Sequence, residues 1–403
     1  MMWEKVKIGD VYEGLYDGPH ATPPTSDDGA IFLGISNITK DGHIDLSDVK
    51  YINENDLPKW TKRVTPKGGD IVFSYEATLN LYAIIPDDFW GCLGRRMALI
   101  RPDETKAHGK YLYYYFFSEE WRSTVSAHII TGATVDRIPI AKFPEFIISL
   151  PPMEKQHKIA NILSNYDDLI VNNKKQIKLL EEAAQRLYKE WFVDLRFPGC
   201  EDVDVVDGVP EGWSYKRVEE LGEVITGKTP STSKTEYYDG SIPFVTIPDM
   251  HGNVFPLVTE KTLTKVGADT QKNKYLPANT VIVSCIATVG LVNIAIEPCQ
   301  TNQQINSVIL HGDNNPYFFY ESMKRIKALL DGVGSNGATM TNVNKTKFSN
   351  IKVLYPTEDL VMKYNEFCKP IFAQILASSK AMLTSKQARD RLLPKLMSGE
   401  IEV

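Results

Sequence analysis

The sequence predicts an α+β protein, built as two repeated α+β domains joined by two long helices that form an antiparallel coiled coil. Three observations carry that reading. Short motifs recur at a constant spacing of 205 residues. Each half opens with short β-type runs punctuated by Gly, Pro and Asn. Each half closes on a long stretch of heptad-spaced apolar residues.

The repeat is seen in four places. Gly132-Ala133-Thr134 returns as Gly337-Ala338-Thr339, Lys142-Phe143 as Lys347-Phe348, Pro151 as Pro356, and Arg186-Leu187 as Arg391-Leu392. Upstream the match loosens: Ile8-Gly9-Asp10-Val11 resembles Leu221-Gly222-Glu223-Val224, and Asp70 to Ser74 resembles Thr280 to Ser284, at drifting offsets. A shared frame carrying two different readers has this pattern.

In the first half the expected strands are Ala30 to Ile35, Asp70 to Ser74, Arg96 to Arg101 and Phe146 to Leu150, with a helix over Lys110 to Ser126. The second half repeats the order with strands Ile242 to Ile247, Thr280 to Cys285, Ile305 to Leu310 and Ile351 to Tyr355, and a helix over Pro316 to Leu330.

From Glu154 to about Phe192 there is no Gly or Pro. Leu163, Ile170, Ile177, Ala184 and Trp191 share one heptad position; Ile159, Tyr166, Leu180 and Leu187 fill the other, interrupted by Asn173. At about 1.5 Å per residue such a helix is on the order of 55 Å long, more than one globular core needs, and it wants a partner helix. Leu360 to Met397 supplies it with Ile371, Ile375, Met382, Leu392 and Leu396, with Ser378 at the register of Asn173. Pro370 is expected to bend or break its first turns. Pro151-Pro152, Phe197-Pro198-Gly199 and the acidic connector Asp202 to Gly208 set the expected boundaries: domains 1–152 and 198–358, helices 153–197 and 359–403.

Composition narrows the function classes. At 403 residues, with 43% hydrophobic and 24% charged residues, the chain can bury more than one core. No apolar run reaches membrane-spanning length and Met1 to Lys7 lacks the apolar core of a secretion signal, so no membrane association and a cytoplasmic location are expected. Cys92, Cys200, Cys285, Cys299 and Cys368 are odd in number and scattered, as packed free thiols are; no metal site is expected from them or from the seven histidines. A net charge of −6 opposes a wholly nucleic-acid-coated surface but permits local basic patches.

Catalytic motifs are mimicked and then fail in context. Gly332-Val333-Gly334-Ser335-Asn336-Gly337 has the dinucleotide glycine spacing but follows an expected helix, where a cofactor site needs strand, glycines, helix; no cofactor is expected. Asn314-Asn315-Pro316-Tyr317 resembles the adenine methyltransferase signature Asn-Pro-Pro-Tyr with one proline missing. No residue is assigned a catalytic role, and the chain reads as a binder.

Candidate nucleic-acid contacts fall in the expected strand Gly94 to Arg101, which carries Arg95 and Arg96, and in loops. Arg95 and Arg96 can fork onto guanine or phosphate, and Asn302, Gln303 and Gln304 offer paired donor and acceptor atoms suited to the N6/N7 edge of adenine. Lys228, Thr229 and Ser231, and likewise Asn342, Asn344 and Lys345, present donors to phosphate oxygens. Thr134 and Thr339 of the repeated Gly-Ala-Thr complete the set. Each also reads as an ordinary solvated loop; the different sequences at equivalent places are what two readers require.

Several stretches carry a family resemblance. Gly212-Trp213 with Glu220 to Ser231, and Ile242 to Asp249, resemble the opening of a target-recognition domain in specificity subunits of type I restriction-modification systems. Leu150-Pro151-Pro152 with Glu154 and Gln156, Trp191 to Asp194, and Leu392 to Ile401 are similar to that family's conserved-helix entry, exit and C-terminal segment. Asp17 to Pro24 departs from the Gly-Lys-Thr-Pro form of the second half. The resemblance implies a non-catalytic, sequence-specific DNA-binding subunit that reads a bipartite duplex target, with helices as a ruler and scaffold. It also implies methyltransferase (modification) subunits as partners, and leaves open a restriction (motor/nuclease) subunit. The alternative is a self-sufficient DNA methyltransferase or nuclease with degenerate motifs.

Overall fold

The computed structural model describes residues 3–132, 135–312, 316–326 and 342–403. The chain divides into two units, residues 1–169 with 384–403 and residues 170–383, so each unit contains part of both long helices.

In the first unit the strands are β1 (Glu4–Lys7), β2 (Tyr12–Asp17), β3 (Ala30–Leu33), β4 (Lys50–Ile52), β5 (Ile71–Ser74), β6 (Tyr82–Ile84), β7 (Gly91–Leu93), β8 (Met97–Pro102) and β9 (Ile147–Leu150). They form a four-stranded sheet in the order β2-β8-β5-β6, a three-stranded sheet β4-β3-β7 and the pair β1-β9. All four residues of β5 are buried, as a strand covered on both faces requires.

After a hairpin, β10 (Val205–Val206) and β11 (Val209–Pro210), the second unit continues with β12 (Ser214–Arg217), β13 (Gly222–Thr226), β14 (Tyr238–Val245), β15 (Lys261–Leu263), β16 (Val281–Ser284), β17 (Val292–Ile294), β18 (Gln300–Thr301), β19 (Ile305–Leu310) and β20 (Lys352–Tyr355). Their sheets are β13-β19-β16-β17, β15-β14-β18 and β12-β20. Strand for strand this is the topology of the first unit, including one parallel contact, β3 with β7 and β14 with β18. The duplication read from four short motifs therefore extends over both domains. The strands β7 and β18 were not anticipated; at two or three residues they are too short to carry a period.

The expected single helix over Lys110 to Ser126 is two, Gly109–Tyr115 and Glu119–His128. Ser118 separates them, because its hydroxyl caps the second by accepting from the Trp121 amide at 3.2 Å. The expected helix at Pro316 to Leu330 is helical over Tyr317–Lys324; residues 327–330 lie outside the described residues.

The long helices run Met153–Phe192 and Glu358–Ser398. The second passes Pro370 unbroken, contrary to expectation. Pro370 lies on the exposed face, where the Glu366 carbonyl it leaves without a donor can be hydrated. In each unit the helical segments run antiparallel. In the first, Arg389 pairs with Asp167 (2.5 Å), and Leu396 and Met397 share a core with Ile159 and Leu163. In the second, Tyr364 OH donates to the Ala184 carbonyl (3.1 Å) and Ser378 Oγ to Gln176 (3.1 Å), one turn from the Asn173 register mark. Aromatic residues fill both cores: Phe73, Tyr82, Phe116, Trp121, Phe143 and Phe146 in the first, Tyr188, Phe192, Phe318, Tyr364 and Phe372 in the second.

Candidate nucleic-acid interface

In the second unit three loops are tied together at one end of the four-stranded sheet. The chain leaving β13 is held by Gly227 N–H to the Ile305 carbonyl (3.1 Å) and Lys228 N–H to the Thr301 carbonyl (2.9 Å). Only glycine permits that approach, since a Cβ on Gly227 would lie 2.2 Å from the Asn302 carbonyl oxygen. The turn between β18 and β19 is stitched by Asn302, whose amide accepts from Gln304 N–H and donates to its side chain, both at 3.0 Å. Thr229 Oγ1 donates to Gln303 Oε1 across the two loops at 2.7 Å. The hairpin after β16 joins them: Cys285 N–H donates to the Gln304 carbonyl and Val343 N–H to the Cys285 carbonyl, each at 2.8 Å.

The first unit uses the same backbone bonds with other side chains. Gly18 N–H donates to the Met97 carbonyl (2.7 Å), Tyr75 N–H to the Arg96 carbonyl (3.1 Å) and Ile138 N–H to the Tyr75 carbonyl (2.7 Å). Ala77 (φ 69°) and Ala287 (φ 64°) even take the same left-handed turn. Arg95 and Arg96 lie in the turn between β7 and β8, not on a strand; Arg96 is itself left-handed at φ 70°, which ends pairing there. Its Nε comes within 3.2 Å of Glu76 Oε1 without the angle of a hydrogen bond, while Arg95 is exposed.

Among the sequence-predicted contacts, Lys228, Thr229, Gln303 and Gln304 thus meet in one loop cluster, with Asn342 bridged to Ile286 beside it. Asn302 is 9% exposed and occupied in holding its own turn. Asn344 caps the following helix by accepting from Lys347 N–H at 2.9 Å. Ser231 bonds Ser233 on an exposed turn, and Lys345 is exposed. Thr134, Thr339 and the run Gly332 to Gly337 lie outside the described residues.

Nothing in either cluster resembles an activated nucleophile. Burial pushes the Cys285 thiol up to about 11, and no group of three or more His, Cys, Asp or Glu among the described residues is placed to hold a metal ion.

Comparison with known proteins completes the picture. The sequence pattern of the type I restriction modification DNA specificity domain matches twice, over residues 2–182 and 210–359. The chain belongs to that family. It is 30% identical to the type I restriction enzyme HindI specificity subunit of Haemophilus influenzae, over 99% of both chains. It is 27% identical to the MjaIX specificity subunit of Methanocaldococcus jannaschii, over 87% of this chain and 82% of the other. The crystal structure of a type I restriction-modification S subunit from M. genitalium shares the fold, with a TM-score of 0.61 at 15% identity, over 98% and 96% of the two chains.

Within this specificity-family chain, two supports of these loops stand outside the candidate contact residues. Asn306, 2% exposed, accepts from Thr226 Oγ1 at 2.6 Å and donates to the Val343 carbonyl at 3.1 Å, joining the first loop to the last. Gln271, 5% exposed, donates to the Lys228 carbonyl (2.6 Å) and to Gln300 (2.8 Å). An amide inside an apolar run was the available signal at Asn306; Gln271 gave none.

Proposed function

We propose that each unit's loop cluster reads one half of a bipartite duplex target, with residues 1–152 and 198–358 as the two target-recognition domains. The family is one of DNA specificity, and the chain is the recognition component of a restriction-modification complex, itself without catalysis. Helices 153–197 and 359–403 are read as an antiparallel coiled coil that spaces the readers and scaffolds the methyltransferase subunits, with or without a restriction subunit. Exposed Val171, Leu179, Met362 and Phe367 on these helices supply apolar surface of the kind a partner covers. No helix among the described residues is long and apolar enough to cross a membrane, and a cytoplasmic place beside DNA fits this role.

One observation carries the reading: the two units share strand order and loop backbone bonds, yet hold different side chains on them, arginines in one and amides and hydroxyls in the other. Arg95, Arg96 and Thr134 are assigned to the first half-site; Lys228, Thr229, Ser231, Asn302, Gln303, Gln304, Thr339, Asn342, Asn344 and Lys345 to the second. Exchanging residues 213–350 for those of a relative, then mapping methylated adenines in cells that also make the modification subunit, should replace one half of the target and leave the other. Alteration of both halves would refute independent readers.

A further inference from the structure

The first unit has a cleft of about 390 Å³ between the loop Asp17–Ala21 and the segment that follows β4. Lys59, Lys62 and Arg63 line it, with Asp17 as their only carboxylate. Asp17 is already shared, with Arg63 Nη1 at 2.5 Å and His20 Nε2 at 3.1 Å. Among the described residues no carboxylate lies within ion-pair reach of Lys59 or Lys62, although the chain as a whole is acidic. Nor are these lysines on a slack loop. The half-buried Trp60 packs against the small core of Phe32, Ile52 and Cys92, and Thr61 N–H returns to the Leu57 carbonyl at 2.9 Å.

The second unit also carries basic residues in the corresponding segment, between β15 and β16. After β15 the chain forms a turn, Lys272–Lys274, fixed by Lys274 N–H to the Gln271 carbonyl (2.9 Å). The Gln271 side chain donates in turn to the Lys228 carbonyl. The Gln271 bond thereby ties the turn that carries Lys272 and Lys274 to the backbone of Lys228, in the loop that leaves β13. The neighbouring Lys265 and Lys234 are the ones given acidic partners, Asp269 and Glu236.

We infer that Lys59, Lys62 and Arg63 in the first unit, and Lys272 and Lys274 in the second, are backbone clamps that bind DNA phosphates beside each reading loop. A patch in which cations outnumber carboxylates, held beside a base-reading loop, has the chemistry of a positioning contact, which fixes register and carries no sequence information. The inference rests on the DNA-reading assignment above and adds to it residues that neither sequence motifs nor loop bonding selected.

The test uses the complex assembled with its modification subunits, and measures how affinity for a target duplex and a scrambled duplex falls with salt. Each lost phosphate contact lowers the slope of log affinity against log salt by about 0.9. The double variant Lys59→Gln/Lys62→Gln should therefore flatten the slope by about 2. Both duplexes should weaken by the same factor, and the methylated sequence should not change. Lys59→Arg/Lys62→Arg should keep the slope, and Lys106→Gln, outside the cleft, should not alter it. An unchanged slope in a normally assembled Gln variant overturns the clamp, as does a changed half-site preference, which would make these residues base readers, or lost assembly, which would make the patch a subunit contact. Failure of the wild-type complex to prefer its target would instead sink the reading assignment, and the slope comparison would still decide the clamp on any duplex.

Discussion

The two loop clusters differ where they face outward and agree where they face the sheet. Gly18 follows β2 and Gly227 follows its counterpart β13, each under a crossing carbonyl. Tyr75 and Cys285 make the same pair of backbone bonds with different side chains. Outward, Arg95 and Arg96 stand where Gln303 and Gln304 stand in the other unit, with Glu76 beside the first pair and Thr229 bonded to the second. Backbone hydrogen bonds place no demand on side-chain identity, so the outward side chains of these loops can change without disturbing their support. The attachment of the helices differs in the same way. The first unit buries an ion pair, Arg389 with Asp167, completed by Tyr114 OH donating to Asp167 at 2.5 Å. The second uses a neutral bond, Ser378 to Gln176, and an aromatic cluster around Tyr364.

That contrast is sharpened most by Asp167→Ala. Arg389 is only 8% exposed at its side chain and, among the described residues, would keep Asp390 alone as a carboxylate partner, so a loss of about 3 kcal/mol is expected in the unfolding of the first unit. Ser378→Ala should cost the second unit under about 1 kcal/mol. Thermal melts of the two variants giving equal losses would show that the charged and neutral attachments are equivalent.

The second unit has its own buried charge problem, in Glu321. Burial pushes its carboxyl up to about 7; Glu181 adds to this, while Lys324 and Arg325 oppose it. A carboxyl whose pKa is raised by folding favours the folded state when protonated. Its contribution is complete at low pH and is lost as pH rises from about 4.5 through about 7. Glu321→Gln should remove that pH dependence and raise stability by up to about 3 kcal/mol above pH 7. Melting curves from pH 5 to 8 check this; a variant that retains the wild-type slope would place the titration elsewhere.

The agreement between the clusters is tested by Gly18→Ala and Gly227→Ala. An added Cβ would lie 2.4 Å from the Gly94 carbonyl oxygen in one unit and 2.2 Å from that of Asn302 in the other. Each should cost about 1–3 kcal/mol and weaken only its own half-site. A harmless substitution in either unit would mean that the loops need not approach so closely there.

Much of this was legible in the amino-acid sequence. The constant spacing of 205 residues announced two copies, and β9 and β20, like the starts of the two long helices, fall at that spacing. Heptad apolar residues marked the helices because a continuous seam needs a strict period, and Ile159, Leu163 and Ala184 are buried as that period requires. Other features depended on contacts far apart in the chain. The effect of Pro370 turned on which helix face was solvated, and the parallel contacts of β7 and β18 on strands too short to show alternation. The roles of Asn302 and Asn344 turned on which backbone groups lay within reach: both had the composition of base or phosphate readers, and folding gave them a turn and a helix cap to hold. The basic segments after β4 and β15 were similarly hidden, because a lysine's partner or lack of one is set by what folding brings beside it. Sequence by itself determined the repeated frame, which rests on apolar periodicity; tertiary structure decided which polar side chains are consumed by that frame and which are left facing outward.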